Sequence, residues 1–219
     1  MRMGHSMQIK IDIKILIFIL IFFILKEEDL YLIFLIYAII HELIHMITGI
    51  VLGMNPYIFN IMPFGASISF KEDANSYNKK IIKGNMNNIK RLLIAITAPL
   101  ANIILGILFS FNFKYILITY INIILALFNL LPIYPLDGGR IIKEILTILH
   151  GRRKALEYIN IISNITLTII TIISIFFCYM SKSILLLISI IYLIYIRRKE
   201  NQIYRIRKRV YMILEKSEY

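Results

Sequence analysis

The sequence predicts an all-α polytopic membrane protein with about six transmembrane helices and a short membrane-associated β-hairpin. Hydrophobic residues make up 59% of the 219 residues, and the mean hydropathy is +0.76. Long apolar runs rich in Ile, Leu and Phe recur along the chain, as in proteins that cross the bilayer several times. The net charge of +12 is concentrated between and after these runs, a pattern typical of membrane topology rather than of nucleic-acid binding.

Six apolar runs are candidate membrane spans, and together they predict a membrane domain over residues 1–196. The first run is short, and a cleaved secretory signal is the competing interpretation. However, charged residues follow this run instead of a small-residue cleavage site, so we expect an uncleaved span. The predicted spans are Ile13–Leu25, Leu30–Gly53, Arg91–Phe111, Tyr115 to about Leu131, Leu156–Met180 and Ile184–Ile196.

The distribution of basic residues predicts the orientation of these spans. With six spans, all but three of the 25 Lys and Arg residues fall on the side that carries both termini. The exceptions are Lys26, Lys114 and Lys182. Because positive charge marks the cytoplasmic side of a membrane protein, we expect both termini in the cytoplasm.

The segments between and after the spans have different characters. Turn residues flanked by short apolar stretches predict a β-hairpin over Met54–Phe70, and Lys71–Lys90 is expected to be a solvated loop. A short amphipathic helix is expected to follow the fourth span and to end near His150-Gly151. Residues 197–219 form a basic amphipathic tail, which we expect on the cytoplasmic membrane surface.

The motif His41-Glu42-Leu43-Ile44-His45 lies inside the second predicted span. Residues four apart lie one turn apart on the same face of an α-helix, so His41 and His45 can bind one metal ion. Glu42 lies beside them, where it can take a proton from a water molecule on that metal. Ionisable groups are costly inside a membrane and are functional candidates there. The pattern indicates a zinc-hydrolase site, and the competing interpretation is a chance pattern on a packed helix.

Small residues flank these histidines at helical spacing. Ala38, Thr48 and Gly49 share the face of the helix that carries the motif. Small residues in a membrane helix allow close approach of a neighbouring element. We therefore expect this face to pack against protein rather than lipid.

Catalytic zinc usually has three protein ligands, so a third must come from elsewhere in the chain. Most of the 13 acidic residues fall in evident loops or tails, which leaves Asp137 as the best placed. His45 lies about 12 Å along the helix from the inner end of its span, and the fourth span also reaches Asp137 at its inner end. The site is therefore expected in the cytoplasmic half of the membrane.

Other candidates surround this chemistry. Asn129 can steady the water or a developing oxyanion, and a packing or capping role is an equal alternative. Because a transmembrane helix keeps its carbonyls hydrogen-bonded internally, a helical substrate must unwind before attack. We therefore include Pro132, Pro135 and the hairpin residues Phe64 and Gly65 as candidate substrate-binding residues. The hairpin either connects two spans or offers an exposed edge for an extended substrate strand.

These motifs together resemble those of the site-2 protease family of intramembrane metalloproteases. The resemblance rests on His41-Glu42-x-x-His45 in one span and on the later run Asn129-x-x-Pro132-x-x-Pro135-Leu136-Asp137-Gly138-Gly139-Arg140, and it covers about residues 30–150. The six-span plan, the Pro63-Phe64-Gly65 hairpin and the lack of an inserted PDZ domain look most like the branch of stage IV sporulation protein FB. The chain departs from the family in having Ala98-Pro99 where relatives have Gly-Pro. Relatives of the sporulation branch often carry a C-terminal nucleotide-sensing CBS domain, and we expect none here.

The resemblance implies zinc bound by His41, His45 and Asp137, with Glu42 as the general base. It implies cleavage of a membrane-associated precursor on the cytoplasmic side of a bacterial cell membrane. In the sporulation branch that precursor is a pro-sigma factor, and the enzyme lies in the mother-cell membrane around the forespore. Inhibitory or regulatory membrane proteins are expected as partners by resemblance alone.

Two other classes of function compete with this reading. A zinc transporter or other metal-binding membrane protein would carry further His or Asp residues along several spans, which the remaining spans lack. A catalytically inactive membrane adaptor would usually have lost one of His41, Glu42, His45 and Asp137. Nucleic-acid binding by the basic tail is disfavoured because the tail is tethered to the membrane, so we expect no nucleic-acid partner.

Overall fold

The computed structural model describes residues 7–24, 26–63, 65–70, 81–181 and 184–217. The candidate residue Phe64 lies outside these ranges, as does the part of the predicted solvated loop at 71–80. The chain divides into two compact units, residues 1–129 and residues 130–219.

The described residues are mainly helical, with one small sheet. The elements in chain order are β1 (Gln8–Ile11), α1 (Lys14–Ile24), α2 (Glu28–Val51), β2 (Pro56–Met62), β3 (Gly65–Phe70), α3 (Ile81–Ser110), a single 3₁₀ turn (Phe113–Tyr115), α4 (Ile116–Asn129), α5 (Asp137–Ser181) and α6 (Ile184–Ser217).

Three helices in the described residues are long and apolar enough to cross a membrane: Asp29–Val51, Met86–Ser110 and Asp137–Phe177. The helices Lys14–Ile24 and Phe113–Asn129 are apolar but shorter. At 1.5 Å per residue, α1 extends roughly 16 Å, about half the thickness of the hydrocarbon core. A membrane protein built mainly of helices is therefore supported, and the count of six spans stays a prediction.

The predicted hairpin is present and is part of a three-stranded sheet. β2 and β3 pair antiparallel from Pro56–Phe70 to Met62–Gly65, and β1 pairs parallel with β2. The sequence analysis missed β1, because a four-residue strand that pairs with a distant segment carries little local pattern. The sheet lies in the first unit, where β3 contacts α2.

The small residues of α2 pack against protein, as predicted. The ring of Phe70 on β3 lies directly over Gly49, where a Cβ atom would overlap it. Ala38 is buried and lies 3.5 Å from the Cβ position of Gly65 at the hairpin turn. Thr48 donates to the hydroxyl of Thr97 on α3 over 3.1 Å. One face of α2 is therefore enclosed by β3, the hairpin turn and α3.

Helix α3 begins ten residues earlier than the span predicted from Arg91, at Ile81. The expectation of a solvated loop was therefore wrong for residues 81–90. Hydropathy marks only the apolar part of a helix, whereas backbone hydrogen bonding propagates from that part into the polar residues that adjoin it.

The second unit contains α5 and α6. Gly151 has φ +80° and interrupts α5, a conformation that suits glycine because it has no Cβ atom. This break confirms the predicted end of the amphipathic helix near His150-Gly151. Helix α6 continues through the tail to Ser217, so residues 197–217 extend the last predicted span instead of starting a separate surface helix.

Candidate metal centre

Helix α2 carries the motif on its buried face. His41 and Glu42 are almost fully buried, and His45 is 0% exposed. The rings of His41 and His45 lie with their centroids 4.8 Å apart and nearly perpendicular. This is the arrangement expected for two imidazoles one helical turn apart that face the same point.

A backbone carbonyl on α3 holds His45 in place. The Nδ1 atom of His45 lies 2.7 Å from the carbonyl oxygen of Ile94. Because a carbonyl can only accept, Nδ1 carries the proton and donates it, and in the neutral imidazole Nε2 then carries the lone pair. A metal-binding histidine typically has its second nitrogen fixed in this way.

Helix α3 offers this carbonyl just before a proline. Pro99 lies inside α3 and has no N–H group, so the carbonyl of Ala95, which directly follows Ile94, lacks its usual helical donor. The carbonyl of Ile94 also accepts from the hydroxyl of Thr97 over 2.9 Å. The one hydroxyl proton of Thr48 has two acceptors within reach, the carbonyl of Ile44 at 2.8 Å and the hydroxyl of Thr97 at 3.1 Å, and the second contact joins α2 to the partner of His45.

The third strand orients Glu42. The backbone N–H of Ile68 on β3 donates to Oε1 of Glu42. This N–H lies on the edge of the sheet that faces α2, since β2 pairs with the other edge of β3. The contact fixes one carboxylate oxygen and satisfies part of the hydrogen-bonding capacity of a buried acid.

Asp137 is the first residue of α5 and is buried. Its Oδ1 lies 3.4 Å from Nη1 of Arg140, one turn along the same helix. The N-terminal end of a helix carries partial positive charge, and a guanidinium is a full positive charge. Both features offset the cost of burying a carboxylate at this position.

The segment before Asp137 folds tightly against the first turn of α5. The N–H of Leu136 donates to Ile133 over 2.8 Å, and that of Arg140 donates to Leu136 over 2.9 Å. A Cβ atom on Gly138 would overlap the carbonyl of Leu130, and one on Gly139 would overlap the backbone of Ile133 and Tyr134. The two glycines therefore allow the segment to lie directly against the residue that carries the carboxylate.

All three sequence-predicted metal ligands are buried. His41 and His45 lie on α2 in the first unit, and Asp137 begins α5 in the second unit. Two imidazole nitrogens and one carboxylate oxygen form a donor set typical of catalytic zinc, which keeps a further position for water or substrate. The chemistry of the donor set therefore fits zinc.

The other candidate site residues make contacts elsewhere in the structure. The side-chain amide of Asn129 donates to the carbonyl of Leu125 in its own helix over 3.0 Å, so its role at the site stays a prediction. Pro132 and Pro135 are partly exposed and lie in the segment that leads to Asp137. Gly65 packs against Ala38, one helical turn before Glu42.

The sequence analysis missed the groups that orient the motif. The carbonyl of Ile94 and the N–H of Ile68 are backbone groups. Because nearly every residue has such groups, the residue type does not indicate which of them will bind a side chain.

Replacing Thr97 by valine tests the hydrogen-bond chain behind His45. We expect zinc affinity to fall about two- to tenfold, because one hydrogen bond to the Ile94 carbonyl contributes roughly 0.5–1.5 kcal/mol. The matched control is Thr171→Val on α5, which also loses a hydroxyl bond to its own helix. Zinc affinity is measured by chelator competition. An equal effect of both substitutions would show that Thr97 has no specific role in orienting His45.

Replacing Gly138 by alanine tests the tight fold before Asp137. The added methyl meets backbone rather than a flexible side chain, so we expect about 1–3 kcal/mol of strain and displacement of the carboxylate. Zinc affinity should fall at least about tenfold. Gly106→Ala is the control. The Cβ atom there would meet the side chain of Ile123 at 2.7 Å, and a side chain can shift where backbone cannot. If Gly138→Ala binds zinc like the wild type, this segment does not position Asp137.

The fold and these residues together define a class: a helical protein with membrane-type helices, two buried histidines one helical turn apart and a buried aspartate at the start of a later helix. Comparisons with known proteins agree with this class. The model of peptidase family M50 matches residues 110–173, which include Asp137. A zinc metalloprotease of Methanocaldococcus jannaschii is 33% identical over an alignment of 110 residues. The alignment covers 45% of this chain and 32% of that protein.

The chain therefore spans about a third of the length of the curated relative that it matches. Among solved structures, the site-2 protease from Methanocaldococcus jannaschii matches with a TM-score of 0.66 at 21% sequence identity. That match covers 91% of this chain and 93% of the other. At this level of identity the likeness concerns the fold alone.

Proposed function

We propose that this protein is an intramembrane zinc endopeptidase of the site-2 protease type. It would cleave a membrane-associated or transmembrane precursor within or near the cytoplasmic half of the bilayer. The observation that carries the proposal is the buried pair His41 and His45 on one face of α2, with Glu42 beside them, and the buried Asp137 supplies the third donor that zinc requires. The similarity to peptidase family M50 and to a zinc metalloprotease supports the same reading.

The residues divide the chemistry among them. Zinc, when bound, acidifies a coordinated water and polarises a carbonyl. His41, His45 and Asp137 would hold the ion, and the bond from His45 to Ile94 would keep one imidazole in the binding tautomer. Glu42 would accept a proton from the attacking water and return it to the leaving amine nitrogen.

The surroundings of Glu42 suit this proton transfer. The N–H of Ile68 fixes one carboxylate oxygen, so Glu42 enters the reaction in a defined orientation. The burial of Glu42 between α2 and β3 limits access of bulk water to the transferred proton. Asn129 is proposed to steady the water or the oxyanion, as the sequence suggested.

Substrate recognition would involve unwound chain. The carbonyls of a transmembrane helix are bonded internally and must be freed before attack. We propose that Pro132, Pro135 and the Phe64–Gly65 turn contact the unwound segment. The buried contact between Gly65 and Ala38 supports the proposal, because it brings the hairpin turn within one helical turn of Glu42.

The proposed topology has six spans and both termini in the cytoplasm. The pairing of β1 with β2 supports it in part, because it requires the N-terminal residues and the hairpin to share one side of the membrane. We further propose that this membrane is that of a bacterial cell. A pro-sigma factor as substrate, location around the forespore and control by regulatory membrane proteins are proposed from the sequence resemblance to the sporulation branch.

The function can be tested with purified protein in proteoliposomes. A panel of single-span proteins and a pro-sigma-type precursor would be added, and products would be mapped by mass spectrometry. The proposal predicts cleavage of at least one panel member at a bond near the cytoplasmic side, loss of cleavage with a zinc chelator, and recovery when zinc is restored. Zinc binding without cleavage of any panel member would favour the transporter or adaptor readings.

A further inference from the structure

A buried arginine in the second unit hydrogen-bonds residues that have no role in the chemistry above. Arg197 is 3% exposed although it begins the strongly basic part of α6. Its neighbour Arg198 is exposed, as the positive charges of a cytoplasmic boundary usually are. A topology signal requires only charge, so the burial of Arg197 calls for a different explanation.

The guanidinium of Arg197 donates hydrogen bonds to several neutral acceptors. Nε donates to Oδ1 of Asn164 over 2.9 Å. Nη2 donates to both the carbonyl and Oδ1 of Asn160, over 2.9 and 2.6 Å. Nη1 lies 3.5 Å from the carbonyl of Tyr134. Burial lowers the pKa of Arg197 and the nearby Glu200 opposes this effect, and an arginine keeps its charge in either case.

Tyr134 is held on its other backbone group as well. Its N–H donates to the hydroxyl of Ser163, a fully buried residue of α5, over 2.9 Å. The donor and the acceptor of a single peptide residue are thus tied to two helices at once. Asn160, Ser163 and Asn164 all belong to one stretch of α5, so the same helix carries most of the network.

The position of Tyr134 decides what this network controls. Tyr134 lies three residues before Asp137, and the first turn of α5 lies so close that a Cβ on Gly139 would overlap the nitrogen of Tyr134. A shift of the Tyr134 backbone must therefore move the turn that carries the Asp137 carboxylate. Burying a charged group costs free energy, so a purely space-filling role would be better met by an apolar side chain.

We propose that Arg197 and Ser163 are positioning residues for the metal centre, which clamp the backbone of Tyr134 and thereby set the position of the Asp137 carboxylate. The inference rests on the proposed zinc site but not on the identity of any substrate. It also makes α6 a determinant of the metal site, since Arg197 lies on that helix and reaches the carbonyl of Tyr134.

The test uses the full chain and zinc alone as the probe. Arg197→Met removes the clamp and roughly keeps the volume, and Arg198→Met makes the same change at the exposed neighbouring position. Partners that orient metal ligands typically contribute 10–100-fold to metal affinity, and we expect Arg197→Met to lose zinc affinity in that range. Arg198→Met should bind zinc within about twofold of the wild type, a difference small against that range.

Further variants separate positioning from folding. Ser163→Ala removes only the bond to the Tyr134 N–H, so it should fold and should weaken zinc binding in the same direction. Arg197→Lys keeps the charge but cannot reach all of the acceptors, and we expect it to restore part of the lost affinity. Because both residues act through Tyr134, the Arg197→Met and Ser163→Ala effects should be less than additive.

The visible spectrum of the cobalt-substituted protein reports ligand geometry and should change in Arg197→Met but not in Arg198→Met. Wild-type zinc affinity in both Ser163→Ala and a folded Arg197 variant would overturn the clamp alone. A wild-type chain that binds no zinc would overturn the clamp together with the proposed metal centre. A wild type that binds zinc but cleaves nothing contradicts only the proposed function.

Discussion

Replacing Glu42 by glutamine is expected to reduce the rate of peptide cleavage by about 10²–10⁴-fold, the usual contribution of a general base. Glutamine keeps the size of the side chain and an oxygen that can still accept from the N–H of Ile68, so α2 and β3 should pack as before. The amide cannot take the proton of the attacking water. Zinc content should stay at the wild-type value, because Glu42 is proposed as the general base and not as a ligand.

The matched control is Glu144→Gln, a second buried glutamate that lies on the helix after Asp137. That substitution should leave the rate of cleavage within a few-fold of the wild type. Rates are compared in proteoliposomes with a substrate identified in the panel, and zinc is quantified on the same preparations. Near-normal cleavage by the Glu42→Gln protein would require another base.

Removing a metal ligand should have an effect of similar size on a different quantity. We expect His41→Ala and Asp137→Asn each to lower zinc affinity by roughly 10²–10³-fold, taking one of three protein ligands as about a third of a total of 10–16 kcal/mol and discounting for partial compensation by water. Cleavage should be lost with the metal. His150→Ala and Asp29→Asn are the controls, because both of those residues are exposed.

This pair of substitutions also distinguishes a metal centre from a buried polar cluster. If these residues only formed hydrogen bonds with one another, removing one would destabilise the fold. Metal content would then be low in every variant and in the wild type. A zinc centre predicts instead that the wild type gains thermal stability on addition of zinc, since a ligand that binds only the native state stabilises it. The two ligand variants should gain less at the same zinc concentration, because their affinity for zinc is lower.

Much of the architecture followed from local features of the sequence. Apolar runs predicted the helices because hydrophobicity and helical hydrogen bonding are both local properties, and Gly151 ended a helix where expected. Spacing of four residues was enough to put His41 and His45 on one face of α2. The small residues Ala38 and Gly49 correctly indicated a face that packs on protein.

What the sequence did not predict depends on contacts between distant segments. The pairing of β1 with β2 and the bond from His45 to the Ile94 carbonyl join backbone groups, which carry no residue signature. Hydropathy placed the start of α3 too late, because the polar first turns of that helix resemble a loop in composition. In the sequence, Arg197 is one of many basic residues that mark the cytoplasmic side of the membrane. Its burial distinguishes it from the neighbouring Arg198.

X-ray absorption at the zinc edge of the purified wild-type protein tests the central claim most directly. The account predicts about one zinc per chain, with the scattering of two imidazole rings and oxygen ligands around it and no sulfur. Loss of one imidazole contribution in His41→Ala would complete the assignment. A protein that takes up no zinc, or a zinc shell that contains sulfur or no imidazole, would contradict the metal centre formed by His41, His45 and Asp137.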